Sequence, residues 1–176
     1  MWSNAGMRVR TAGDATDVAF AAWYRDEIGS LRTLAAALTG SGESGADLAD
    51  EAMLRAYRAW ERVALLDRPG AWARRVVINL AIDVHRRAVR ERRALGRIRL
   101  VEASVALESP DDEFWSAVRA LPRVQRSAVA LFYVDDLSID EIAEVLSLST
   151  GTVKKALFQA RRALARVLQL DPEVTT

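Results

Sequence analysis

Cysteine is absent from the chain and histidine occurs once, as His85. No disulfide framework and no thiolate metal site can form, and a lone imidazole flanked by Arg86 and Arg87 has no second ligand beside it, so it is expected on a helix surface. No apolar run approaches the roughly 20 residues that span a bilayer, and the N-terminus lacks the basic-then-apolar pattern of an export signal. The expectation is a cytoplasmic protein without membrane insertion. A phosphate-cradling glycine loop and a Ser/His/Asp arrangement are missing too. No catalytic residue, no cofactor and no metal are assigned, and the chain is not expected to be an enzyme. What is present is apolar material: 51% of the 176 residues are hydrophobic, enough for one ordinary domain or two small ones.

Net charge is only +1, but the charges are segmented along the chain. Between Ala71 and Leu100, nine arginines stand against Asp83 and Glu91, a balance of +7. From Glu102 to Glu144, ten acids stand against Arg119, Arg123 and Arg126, a balance of -7. Val145 to Leu170 then carries Lys154, Lys155, Arg161, Arg162 and Arg166 and no acid. Such blocks are either solvated helix faces or surfaces for a charged partner, and the pattern within each block has to decide.

Apolar residues recur at steps of three and four nearly throughout, and no alternating β-branched stretch persists. The fold class expected is all-α, with two small helical domains joined by a linker, the second a helix-turn-helix domain. Phe20, Tyr24, Ile28, Leu31, Ala35 and Leu38 predict a first helix over about 17–38, closed by the turn residues at 39–45. A second helix, 46–63, points Leu48, Ala52, Ala56, Ala59 and Val63 inward. Pro69 suits a helix start, and a third helix over 69–93 is expected to bury Ala73, Val76, Leu80 and Val84. Periodicity fades over 94–110, which reads as a linker. Two helices around Phe114–Leu121 and Val124–Phe132 follow. The acidic pairs Asp111-Asp112 and Asp135-Asp136 are read as complements to helix dipoles.

Ser138 and Glu141 have capping-box spacing, so a short helix is expected to begin there and end near Leu148. After Ser149-Thr150-Gly151, a last helix buries Val153, Leu157, Ala160, Leu164 and Val167. This is a helix-turn-helix pattern, in which the second helix enters the major groove and its N-terminal side chains reach base edges. Lys155, Gln159, Arg162 and Arg166 form one exposed stripe. In the third helix, Arg75, Asn79, Ile82, Arg86, Arg90 and Arg93 form another, able to lie along phosphates while Asn79 bonds a base edge. Trp60 and Trp72 are either core or platforms for unpaired bases.

These residues resemble an extracytoplasmic-function (ECF) type RNA polymerase sigma factor of the sigma-70 family, over nearly the whole chain. The resemblance is carried by Asp47 to Tyr57, Ala71-Trp72 and Asn79 to Arg87 in the first half. In the second it is carried by Leu121 to Arg126, Asp136-Leu137-Ser138, Glu141 to Leu146 and Gly151 to Lys154. It implies a promoter-recognition subunit that binds core RNA polymerase, through the beta-prime clamp helices and the beta subunit, and directs promoter melting and transcription initiation. Asp47, Leu48, Asp50, Glu51, Met53 and Arg55 would bind polymerase. Arg75, Asn79, Arg86, Arg87 and Arg90 would take the minus-ten element, with the loop 63–70 beside them. Arg126, Thr152, Lys154, Lys155, Gln159 and Arg162 would read the minus-thirty-five element as duplex.

The implied organisation is a tail at 1–16, sigma region 2 at 17–93, a linker at 94–111, sigma region 4 at 112–170 and a tail at 171–176. An anti-sigma protein is an expected regulator. Three departures stand out: family members usually carry Gln at Asp50, Gly at Ser147 and Arg near Ala156. Ser147 would sit where positive φ is expected, and Ala156 would remove a DNA contact. The rival reading is a stand-alone helix-turn-helix regulator using the back half alone.

Overall fold

A computed structural model describes residues 12–95 and 110–169, with side chains described for 16–91 and 113–169. Eight helices appear among the described residues and no strand. The front half holds α1 (Ala12–Thr39), α2 (Gly42–Arg58), α3 (Trp60–Val63) and α4 (Pro69–Leu95). The back half holds α5 (Pro110–Ala120), α6 (Arg123–Tyr133), α7 (Ile139–Leu146) and α8 (Thr150–Val167). Most of the expected linker, and the first and last tail residues, lie outside the described residues.

Three boundaries differ from the sequence expectation. The first helix begins at Ala12, within the stretch read as a tail. The Gly-Glu-Ser-Gly stretch read as a turn is instead the first turn of α2, because the Ser41 hydroxyl accepts from the Ser44 N–H at 3.2 Å and so caps it. Gly45 is needed there for another reason: a Cβ at that position would lie 2.5 Å from the backbone nitrogen of Ala36, so only glycine lets α2 approach α1 this closely. The second helix also breaks at Ala59 rather than running to Val63, leaving α3 as a single turn.

Leu31, Leu34 and Ala35 of α1, Ala49, Ala52 and Met53 of α2, and Ala73, Val77, Ile78 and Ala81 of α4 make the front core. The inner face of α4 is thus rotated by about one residue from the expected one: Val76 and Leu80 are half-buried and Val84 is exposed, while Ile82 is buried. Ile82 therefore interrupts the supposed exposed stripe. Phe20 and Trp23 meet Trp60 at ring centroid distances of 5.2 and 5.0 Å, and Trp60 is only 7% exposed. Trp60 is core, and Trp72 is half-buried against the main apolar cluster that holds Leu31, Leu34 and Val77.

In the back half, Ile142, Val145, Val153, Leu157, Ala160 and Leu164 form the helix-turn-helix core. Ser127 to Leu131 are all buried in succession, more than one helical face can provide. The cause is tertiary: α6 packs on α8 of its own half and on α1 of the front half. A second bridge joins α4 to α7. Buried residues of the two halves belong to one apolar cluster.

The capping box forms as expected: Ser138 Oγ accepts from the Glu141 N–H at 3.3 Å, and the Ser138 N–H donates to Glu141 Oε2 at 2.9 Å. The Ser138 hydroxyl also donates to Glu141 Oε2 at 2.7 Å, and this bond, followed by the one from the Ser138 N–H, holds the Glu141 carboxyl below its ordinary range, with Arg68 adding to the effect. At the other end, Ser147 has φ 54 and ψ 47, and the Leu148 N–H returns to the Ala143 carbonyl at 2.9 Å. A Cβ is strained in this left-handed conformation. Ser147→Gly is expected to stabilise the fold by about 1 kcal/mol, read as a raised denaturant midpoint at unchanged m-value.

Candidate nucleic-acid interface

The recognition helix is built by its cap. Ser149 accepts from the Thr152 N–H at 3.1 Å, and the Ser149 and Thr152 hydroxyls pair at 2.8 Å. The first turn of α8 is thereby fixed with Thr152, Lys154 and Lys155 exposed. Gln159 and Arg162 continue this face; the Gln159 carbonyl oxygen accepts from Gln125 Nε2 at 3.3 Å, and Arg162 lies 5.7 Å from the centre of the Phe158 ring. Phe158 is 58% exposed between the cations, a residue that sequence reasoning missed. Its signal was available, since it stands four residues after Lys154 and four before Arg162.

Arg126 does not join this face. It is 5% exposed, and its Nη1 donates to the Arg119 carbonyl at 2.8 Å, tying α6 to the last turn of α5. Burial lowers its pKa. The minus-thirty-five assignment of Arg126 is corrected: it is a buried structural cation. Ala156 is also turned inward, at 5% exposure, so alanine there fills the core and does not vacate a DNA contact.

On α4 the residues expected at the minus-ten element divide into two groups. Arg86, Arg87 and Arg90 are exposed toward its C-terminal end. Arg75 and Asn79, nearer the N-terminal end, keep solvent exposure but have their polar atoms engaged by the back half. Arg75 Nε donates to the Val145 carbonyl at 2.7 Å and Nη2 to the Glu144 carbonyl at 2.6 Å. Arg123 Nη2 donates to Asn79 Oδ1 at 3.0 Å. These groups line a cleft of about 370 Å³ with Ile78, Val124 and Leu146.

Neighbouring Arg74 bonds Asp135 Oδ2 at 3.0 Å and Glu27 Oε2 at 2.8 Å. Burial opposes the charge on Arg74, but the two carboxylates outweigh it and raise its pKa. Burial pushes the Asp135 carboxyl up, against the pull of Arg74. Asp135 is therefore an ion-pair partner across the two halves and not a complement to the α7 dipole; the Ser138 and Glu141 box performs that capping.

The α2 face presents Asp47, Asp50 and Arg55 outward, with Leu48 and Glu51 partly covered. Asp50 pairs with Arg32 of α1 at 2.9 Å and Glu51 with Arg55 at 2.8 Å. The unusual Asp50 thus has a specific partner. Met53 is 2% exposed and supports this face from beneath, whereas Leu54, not assigned from sequence, is 42% exposed on it. Among the described residues no grouping of three or more metal-ligating side chains occurs, and no helix is long and apolar enough to cross a membrane.

A two-part helical chain ending in a helix-turn-helix, with a separate cationic helix in its front half, defines a DNA-directed protein of sigma-70 architecture. The sigma-70 region 2 model matches residues 23–91 and the sigma-70 region 4 model matches 111–164. The ECF RNA polymerase sigma factor SigM of Mycobacterium tuberculosis is 30% identical over 170 residues, covering 92% of this chain and 82% of that protein. SigL of the same species is 30% identical over 172 residues, covering 92% and 96%. The chain belongs to the ECF RNA polymerase sigma factors. Its fold is similar to that of the sigma factor RpoE from Bartonella quintana, solved in complex with the anti-sigma factor NepR, at TM-score 0.69 and 20% identity over 87% of this chain and 98% of that one. It is also similar to CnrH, solved with the cytosolic domain of CnrY, at TM-score 0.64 and 23% identity over 91% and 96%.

Proposed function

We propose a division of labour within this sigma factor. Residues 17–93 act as region 2, holding core polymerase and the minus-ten element, and residues 112–170 act as region 4, reading the minus-thirty-five element as duplex; 94–111 link them. The observation that carries this reading is the pair of cationic helices in separate halves, α4 and α8, falling within the two matched regions in order.

Asp47, Leu48, Asp50, Glu51 and Arg55, seated on Met53, dock on the beta-prime clamp helices, with region 4 facing the beta subunit. Asn79 bonds an unstacked minus-ten base, Arg75 flanks it, and Arg86, Arg87 and Arg90 grip phosphates of the same strand. Extruding a base costs a few kcal/mol, which pocket contacts and cationic grip offset. Thr152, Lys154, Lys155, Gln159 and Arg162 enter the major groove. The protein works in the cytoplasm without catalytic chemistry of its own, and an anti-sigma protein restrains it.

Pull-down with core polymerase followed by transcription from a genomic promoter library tests the assignment. Promoter-specific initiation by the holoenzyme, with weak duplex binding by the chain alone, is the expected result. Tight operator binding without polymerase would favour a stand-alone regulator, and failure to bind core would end the sigma assignment. Asn79→Ala is expected to slow open-complex formation, read by permanganate reactivity of the melted strand, while leaving core binding within about twofold, since a base contact and not a docking contact is removed. Equal loss of both would overturn the role given to Asn79.

A further inference from the structure

The exposed face of α8 is built to donate hydrogen bonds. Lys154, Lys155 and Arg162 carry donors and no acceptor, so among the exposed side chains assigned to the minus-thirty-five element only Thr152 and Gln159 hold an oxygen. Both oxygens are engaged within the protein. The Thr152 hydroxyl pairs with that of Ser149 at 2.8 Å, and Gln159 Oε1 accepts from Gln125 Nε2 at 3.3 Å. The second of these bonds crosses from α6 to α8, and the amide nitrogen of the exposed Gln159 takes no part in it.

Of the two glutamines, Gln125 is the more constrained. It is half-buried in the first turn of α6, beside Arg126, whose N–H donates to the Pro122 carbonyl at 2.9 Å and whose Nη1 donates to the Arg119 carbonyl at 2.8 Å. A half-buried side chain on a fixed turn has already lost rotamer freedom, whereas an exposed one keeps it, so the bond orients Gln159 and not the reverse.

That orientation bears on base recognition. A free glutamine pairs with adenine through two bonds, its oxygen accepting from N6 and its nitrogen donating to N7. The held oxygen keeps a second lone pair, but it is drawn toward α6, and the double bond to adenine needs both amide atoms turned on one base edge. The nitrogen alone suits guanine, whose N7 and O6 both accept, and meets a like donor at adenine N6.

We propose that Gln125 is a positioning residue for promoter recognition: by holding Gln159 Oε1 it presents the Gln159 amide to the major groove as a donor, so that guanine and not adenine is read there. This rests on the assignment of Gln159 to the minus-thirty-five element given above. Gln125 itself contacts no base.

Holoenzyme assembled from core polymerase and the full chain, transcribing a promoter library randomised over the minus-thirty-five element, tests it. Gln159→Ala is expected to flatten the preference at one position and thereby locate it. There the unsubstituted chain should favour guanine, and Gln125→Leu should lower the guanine-to-adenine ratio by about two- to tenfold, the worth of one neutral hydrogen bond, with other positions unchanged. Gln125→Glu removes the donor and supplies an acceptor for the Gln159 amide nitrogen, which turns the Gln159 oxygen outward; adenine and cytosine, which present amino groups, should then be favoured. Gln125→Leu in the Gln159→Ala background should add no further change. Unaltered ratios in both Gln125 variants, or a uniform fall across all promoters, would overturn the proposal and leave Gln159 as a reader. So would a shift from adenine toward guanine, or an effect of Gln125→Leu that persists without Gln159. If Gln159→Ala changes the preference at no position, the assignment of Gln159 falls and the proposal falls with it. Should Gln125→Leu unfold by circular dichroism, Gln125→Glu decides by the same ratio.

Discussion

Lys155→Ala combined with Arg162→Ala is expected to abolish most minus-thirty-five-dependent transcription while leaving the helix-turn-helix folded. Both side chains are exposed on α8, and neither contributes to the core formed by Val153, Leu157, Ala160 and Leu164. Each contact to a base edge in the major groove is worth about 1–3 kcal/mol, or roughly 5- to 150-fold in occupancy. Loss of both therefore lowers initiation at promoters with a minus-thirty-five element by about 25-fold or more if the two sites are independent. Arg162 also stacks on Phe158, so its removal frees that ring and coupling between the two residues is expected. Initiation from a pre-melted bubble template, which bypasses duplex reading, should be nearly unaffected. A similar fall on the bubble would show that the substitutions act through folding or polymerase docking. Arg126→Ala supplies the contrast: it should lower stability, by removing the buried bond to the Arg119 carbonyl, and not alter promoter preference at temperatures where the chain stays folded.

Gly45→Ala is the substitution expected to harm the fold most. The added methyl would meet the Ala36 backbone nitrogen at 2.5 Å and its Cα at 2.7 Å, and backbone atoms inside a helix cannot swing aside as a side chain can. Relief requires α2 to move away from α1, opening the core around Leu34, Ala35, Ala49 and Met53. Overpacking of this kind costs about 1–3 kcal/mol, set against a small gain in helix propensity. Because α2 carries the face assigned to polymerase, core binding should weaken in parallel with the loss in denaturant midpoint. Gly42→Ala is the control, having no atom within 4 Å of the added carbon, and should be neutral or slightly stabilising. Equal behaviour of the two variants would mean that the close approach of α1 and α2 does not limit stability.

Much of the fold was legible in one dimension because it depends on local chemistry. The Ser138 and Glu141 box and the Ser149 cap need only a few adjacent residues, and each forms where the residue types favour it, whereas the positive φ at Ser147 was expected from the resemblance, in which that position is usually Gly, and forms in spite of the serine. The all-helical class follows from apolar spacing in the same way. Errors arose where two faces of a helix are both covered. Ile82 sits in a stretch of α4 whose arginines suggested an exposed stripe, and Arg126 looks like a surface cation until α6 is found packed on two sides. Asp135 resembled a helix-capping acid because its partner, Arg74, is 61 positions away.

The sequence by itself therefore determined the helices, the caps and the two cationic helices, since hydrogen-bond satisfaction and apolar periodicity act within a few residues; the family followed from the resemblance of its motifs in their order. Only the tertiary structure decided that the two halves close on each other, which arginines are spent on that contact and which remain outward. That decision depends on pairing charges and carbonyls roughly 40 to 70 residues apart, as in the bonds from Arg123 to Asn79 and from Arg75 to Val145, and no local pattern encodes such a pairing.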